Sequence, residues 1–280
     1  MYWAGGTEPM NWLKQPASDT QITHGQRLWL YMLAAIIMFL LVVPTLLVIP
    51  MSFSASQYLE FPPREWSLRW YETYFGSIAW MDATWTSLKA GLLTTLLATP
   101  LGTMAAYGLF VSQHKWSRLV FIFLITPIMI PVILIAIGAF YVYVQIKMVN
   151  SLAGLVVAHT NLALPLVLIV VSSAFRSYDM NQEMAARSLG ASRLTAFMAI
   201  TLPQIRFSVI TAALLSFLTS FDEVIVALFV SGGDNSTLTR NMFNALRDQI
   251  DPTIAAISTI MIAISSALLL AAQLFGKSRD

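Results

Sequence analysis

Charge is distributed along this chain in a way that leaves few folds open. Six apolar stretches, over 28–51, 86–110, 119–144, 152–174, 207–230 and 254–274, run 21 to 26 residues each. Of the 16 basic and 14 acidic side chains, only Lys89, Asp222 and Glu223 fall inside them. A helix crosses the hydrocarbon core of a bilayer with about 20 mostly apolar residues, whereas a barrel strand needs roughly 9–11 and alternates in polarity. The pattern predicts an all-α, polytopic membrane protein with six transmembrane helices, bathed in membrane lipid. A soluble fold would lack polar surface: apolar types are 57% of the residues and charged types 11%, against about 25% charged in soluble domains. The net charge is only +2, so no nucleic acid is expected as a partner. The chain has no Cys, which removes disulfides and thiolate metal sites.

The first stretch exceeds the apolar core of a secretory leader and lacks a small-x-small site, so it is expected to be a retained span. Three regions follow: a polar tail over 1–27, a six-helix domain over 28–275 with a long loop at 175–206, and a short tail over 276–280. If the N-terminus lies inside, ten basic residues fall inside and six outside. That bias predicts that both termini and the 175–206 loop are cytoplasmic.

Pro44, Pro100, Pro127, Pro131 and Pro165 interrupt the spans. They make either static kinks or the hinges of a bundle that opens and closes. Gly91, Gly102, Thr103, Ala105 and Ala106 give the second span a small face suited to close helix packing. The long outer loop over 52–85 carries Phe61-Pro62-Pro63 and the cluster Trp66, Trp70, Tyr71, Tyr74 and Phe75. A short helix over 67–75 is expected there, serving as an interfacial helix or as a docking surface for an outside partner. The second outer loop, over 231–253, opens with the turn signal Ser231-Gly232-Gly233-Asp234.

The 175–206 loop is long and polar. Asp179 followed three residues later by Gln182 resembles a capping box. A helix is expected over 180–189, stopped at Gly190, which can take the left-handed backbone of a C-terminal turn. Ser192 can cap a second helix through about Thr201, with Leu194, Phe197 and Met198 on one face, and Pro203 would end it. Met184, Leu189 and Phe197 would then be exposed, either against lipid or as a knob entering another protein.

The same residues carry a resemblance. Glu183-Met184-Ala185-Ala186-Arg187-Ser188-Leu189-Gly190, then Ile200-Thr201-Leu202-Pro203, resembles the "EAA…G…I-x-L-P" motif of ABC importer permeases. Ser52-Phe53-Ser54, Phe61-Pro62-Pro63, Ser67-Leu68-Arg69-Trp70-Tyr71, Ala158-His159-Thr160 and Ser220-Phe221-Asp222-Glu223 are similar to the polyamine (spermidine/putrescine-type) branch, its C-type subunit in particular. The resemblance implies a type I importer-like fold in a bacterial inner membrane. It implies a second homologous permease, an extracytoplasmic binding protein and an ATPase dimer that holds ATP and Mg. It also implies that Glu183, Met184, Ala185, Ala186, Arg187, Leu189, Gly190 and Pro203 form the element that couples to the ATPase. Met184 stands where the family usually has Glu. Glu183 lies one place earlier, about 100° around a helix, and cannot simply substitute.

No cofactor site is expected in this chain. Gly276-Lys277-Ser278 looks like the end of a phosphate-binding loop, but Ala271 stands where its first Gly belongs. His24, His114 and His159 are scattered, with no metal spacing. No catalytic constellation is present, so an enzyme is not expected; a membrane-embedded one would gather His or acids near one face. A secondary transporter would show inverted repeats and broken helices, and the sequence has no clear repeat. Within the importer reading, the substrate is expected to be a polyamine, or another small organic solute such as an opine or amino-acid derivative.

The pathway candidates are Glu223, Asp222, His159, Asn161 and Thr219. If residues 207–230 form one helix, Ser216, Thr219, Ser220 and Glu223 make a polar stripe, and His159 lies at a similar depth on the fourth span. Periodicity then favours Glu223 as the pore-facing acid, whereas the resemblance marks Asp222. Both could instead satisfy buried donors such as His159.

Overall fold

The computed structural model describes residues 23–112, 114–248 and 250–276. The expectations for most of the N-terminal tail and for Lys277 and Ser278 lie outside the described residues. Among the described residues every regular element is a helix, apart from one isolated antiparallel bridge between Ser54 and Trp66. Five helices are long and apolar enough to cross a membrane, and a bent pair supplies a sixth span.

Helix α1 (Leu28–Met51) leans on α12 and buries none of its residues. An all-round apolar surface suits a helix facing lipid. The short α2 (Arg69–Gly76) forms where one was expected. It buries Tyr74 against Leu238 and Ile257, and buries Trp70, whose Nε1 donates to the Ser56 carbonyl, while Phe75 stays exposed. The second span is longer than its apolar stretch: α3 (Ile78–Val111) begins at Ser77, whose side chain accepts from the Trp80 amide. Its buried side carries Gly91, Gly102, Thr103 and Ala106, with Ala105 only half-buried. A Cβ on Gly102 would lie 2.6 Å from Val167 Cγ1, so α3 and α6 approach closely only because Gly stands there.

The third stretch is not one helix. It folds as α4 (Ser117–Met129) and α5 (Val132–Gln145), bent by 98°. Pro131 has no N–H and drives Ile130 into extended backbone, φ −89° and ψ 132°. Pro127 sits inside α4 without breaking it. Helix α6 (Leu152–Ala174) has the expected bounds, is capped by Ser151 and forms the centre of the bundle.

The loop folds into α7 (Asn181–Ser188) and α8 (Arg193–Ala196). Pro203 does not end the second helix. A π turn over Phe197–Thr201, with the Leu202 amide bonded to the Phe197 carbonyl, leads directly into α9 (Leu202–Phe221). The wider turn gives Pro203 a place near the start of α9, where a missing N–H costs little.

The fifth stretch is also broken. After α9 the chain opens at Asp222 and restarts as α10 (Ile225–Val230). Helices α5 and α10, the second halves of the two broken spans, pack together around Ala136, Tyr143, Val226 and Val230. Helices α11 (Leu238–Asp248) and α12 (Thr253–Gly276) complete the chain.

Candidate functional site

Two places gather the candidate residues, one at the α7–α8 end of the bundle and one at the α9–α10 break. At the first, Asp179 accepts from the Asn181 amide at 3.0 Å and begins α7. The box is not closed from the other side, because Gln182 accepts from Gln204 instead. Gly190 has φ +95°, with open space where a Cβ would be. The turn therefore needs Gly for its backbone and not for room. Ser192 accepts from the Thr195 amide and starts α8. Leu189 is 90% exposed and Met184 47%, and Ala185, Arg187, Gly190 and Pro203 are exposed as well; Ala186 is half-buried.

Two residues of this loop depart from expectation. Phe197 is half-buried, with its ring 4.7 Å from that of Tyr107. Glu183 is fully buried and accepts hydrogen bonds from the Tyr107 and Thr201 hydroxyls. No sequence signal linked Tyr107, 76 residues away, to this carboxylate.

At the second place, the stripe expected on a continuous helix ends at the break. Glu223 turns inward. Its carboxylate accepts from the amides of Ile225, Val226 and Ala227 at 3.1, 2.8 and 3.2 Å, the free N–H groups that begin α10. The Thr239 hydroxyl donates to its carbonyl at 2.8 Å. A carboxylate that offers the backbone a local alternative is one reason the helix breaks here. His159, fully buried, holds Ser220 at 2.7 Å through Nδ1 and stands 4.0 Å from Glu223 through Nε2. The structure thus joins His159, Ser220 and Glu223. Asn161, two residues further along α6, is exposed and does not join them.

Asp222 points the other way. It is exposed, and its carboxylate makes no hydrogen bond or ion pair among the described residues. It lines an open cleft of about 610 Å³ between α9 and α12 with Thr219, Met261 and Ser265. A second cleft of about 370 Å³, bounded by α11 and α12, meets the first at Asp222. Helix α11 is fixed beside it: the Leu238 amide bonds Ser87 on α3, and Arg240 donates to the Ala227 carbonyl at 3.2 Å. Burial pushes the Arg240 guanidinium below its usual value. Among the described residues no group of three His, Asp or Glu gathers to hold a metal.

Residues 98–279 match the family of binding-protein-dependent transport system inner membrane components. The chain belongs to this family. It is a multi-pass inner-membrane permease, and its relatives are transport subunits and not enzymes. The spermidine/putrescine transport system permease protein PotC of Haemophilus influenzae is 29% identical over 241 residues, 86% of this chain and 93% of that one. The putrescine transport system permease protein PotI of Escherichia coli is 31% identical over 226 residues, covering 78% and 80%. A bacterial alginate ABC transporter, solved with an alginate pentasaccharide-bound periplasmic protein, superposes with TM-score 0.70 at 18% identity, covering 91% of this chain and 95% of that one. At that identity the likeness concerns the fold.

Proposed function

We propose that this permease is one of two membrane subunits of an ATP-driven importer for a small organic cation of the polyamine class. An extracytoplasmic binding protein delivers the cation, and an ATPase dimer with its ATP and Mg meets the α7–Gly190–α8 loop. The observation that carries this is the presence in one chain of an exposed apolar knob, Met184 and Leu189 around a glycine turn, and, at the far end of α9, an acid unpaired by hydrogen bonds in a cleft. An apolar knob on a soluble face costs solvation unless a partner covers it. An acid in a cleft inside an apolar bundle is costly unless a cation visits it.

The cation reading is supported by the names of PotC and PotI and by Asp222. The cleft that Asp222 and Thr219 line supports Asp222 as the pathway acid, and the backbone bonds of Glu223 and the Ser220 bond of His159 support a structural role for those two. Met184, Ala185, Arg187, Leu189 and Gly190 are the contacts offered to the ATPase, and Glu183 stays internal. The ten-to-six basic bias supports a cytoplasmic loop and cytoplasmic termini.

The bent α4–α5 pair and the break between α9 and α10 are also what a secondary transporter would have. One experiment separates the two. The chain is expressed with its ATPase, second permease and binding protein in cells lacking polyamine uptake. Labelled putrescine or spermidine should accumulate and should stop when the ATPase is inactivated. Accumulation that survives the inactive ATPase and follows the membrane potential would make the chain a secondary carrier.

A further inference from the structure

Glu183 lies inside the proposed coupling loop yet is closed to any partner, being fully buried. Its surroundings are specific. Tyr107, four residues before the end of α3, donates to Oε1 at 2.5 Å, and Thr201, the last residue of the π turn, donates to Oε2 at 2.7 Å. Thr201 has one hydroxyl proton and gives it to Glu183. The 2.8 Å contact between Tyr178 and Thr201 is therefore donated by Tyr178. Burial pushes the Tyr178 phenol above its usual value, which keeps that proton in place. Arg193 of α8 reaches the other side of Tyr107, with Nε 3.4 Å from its hydroxyl and the guanidinium 5.6 Å from its ring centre. No cation stands within 4.0 Å of the Glu183 carboxylate among the described residues.

One buried carboxylate thus ties three elements: α7, α3 and the π turn that leads into α9. Hydrogen bonds to a charged acceptor in a buried site are short and strong, and losing a partner there leaves the charge uncompensated. Helix α9 ends at Phe221, which lines the cleft with Asp222.

We propose that Glu183 is a positioning residue that pins α7 to α3 and to the π turn, so that a displacement of the loop by the ATPase moves α3 and α9 together. The proposal rests on the importer reading above for its driving partner. It differs from that reading in assigning Glu183 no contact with the ATPase. Force passes through the Tyr107–Glu183–Thr201 bonds, and the Met184–Leu189 knob only receives it.

The test uses the purified complete complex with Tyr107→Phe and Thr201→Val, singly and together, and Thr201→Ser as the conservative control. Tyr107→Phe and Thr201→Val each remove a hydroxyl with little change in volume, whereas Thr201→Ser keeps it. Three quantities are read: assembled complex, substrate transported per ATP hydrolysed, and amide hydrogen exchange over 181–189. The double variant is expected to assemble, to hydrolyse ATP at the basal rate and to lose transport per ATP by about five-fold or more. Its 181–189 amides should exchange faster, and Thr201→Ser should behave as wild type. Unchanged transport per ATP with unchanged exchange would overturn the proposal. So would a fall in uptake that only tracks a loss of assembled complex. If the wild-type complex shows no ATP-driven uptake, the importer reading fails, and unchanged exchange in the double variant would still reject the pin by itself.

Discussion

At the scale of single residues, two adjacent acids that sequence periodicity ranks by helix face sit in different surroundings, Glu223 on backbone amides and Asp222 in a cleft. Glu223 holds the first amides of α10, so Glu223→Ala leaves three N–H groups without their acceptor. A loss of about 1–3 kcal/mol is expected, read as a lower unfolding midpoint of the purified permease, with Glu223→Gln milder because one acceptor oxygen remains. Asp222→Asn should leave that midpoint unchanged. A unit charge about 6 Å from a cation is worth ~3 kcal/mol at an effective dielectric of 20. After screening, its removal should lower uptake below saturation by about ten-fold, with basal ATP hydrolysis retained. If Asp222→Asn transports normally and Glu223→Gln does not, the two roles are reversed. At Gly190, φ of +95° excludes Pro, whose ring fixes φ near −65°. Gly190→Pro is expected to insert in the membrane and to lose substrate-stimulated ATP hydrolysis; hydrolysis near the wild-type level would remove the loop from coupling. The acids were legible as candidates because charge inside an apolar span is rare. Their different surroundings were not, since a period of 3.6 describes a helix only while the helix continues, and this one stops at Phe221.

At the scale of elements, packing and breaks account for what apolar length alone leaves open. Helix α6 was legible to the residue because its apolar run coincides with the helix bounds; the Ser151 cap appears only in the structure. Residues 119–144 and 207–230 are as apolar as α6, yet each folds as two pieces. Pro131 was visible as a breaker, but Pro127 and Pro165 lie in helices that continue, so the residue type alone did not locate the bend. Pro203 failed as a stop signal because the π turn absorbs it. The small face of α3 leads to a direct test. Gly102→Ala places a Cβ 2.6 Å from Val167 Cγ1 and 2.8 Å from Val167 Cβ, and overpacking of this kind costs about 1–3 kcal/mol. The unfolding midpoint should fall, and adding Val167→Ala should recover part of the loss and not all, because the Val167 Cβ remains in the way. Full tolerance of Gly102→Ala would mean that α3 and α6 do not pack as closely as described.

At the scale of the whole molecule, the partition of charge was enough to give an all-α membrane chain, and the Gly190 and Ile200–Pro203 spacing was enough to suggest its family. Orientation rests on basic residues alone. In this Cys-free chain, single cysteines at positions 62 and 188 should report opposite sides. An impermeant thiol reagent added to intact cells is expected to label position 62 and spare 188, and the reverse would invert the topology. The most direct measurement is uptake by the purified complex in sealed vesicles, with the binding protein and labelled spermidine outside and ATP enclosed with the ATPase. Accumulation should require ATP, should fail with a non-hydrolysable analogue and should ignore an imposed proton gradient. Accumulation driven by that gradient without ATP, or none with ATP hydrolysis intact, would contradict ATP-driven polyamine import by this permease.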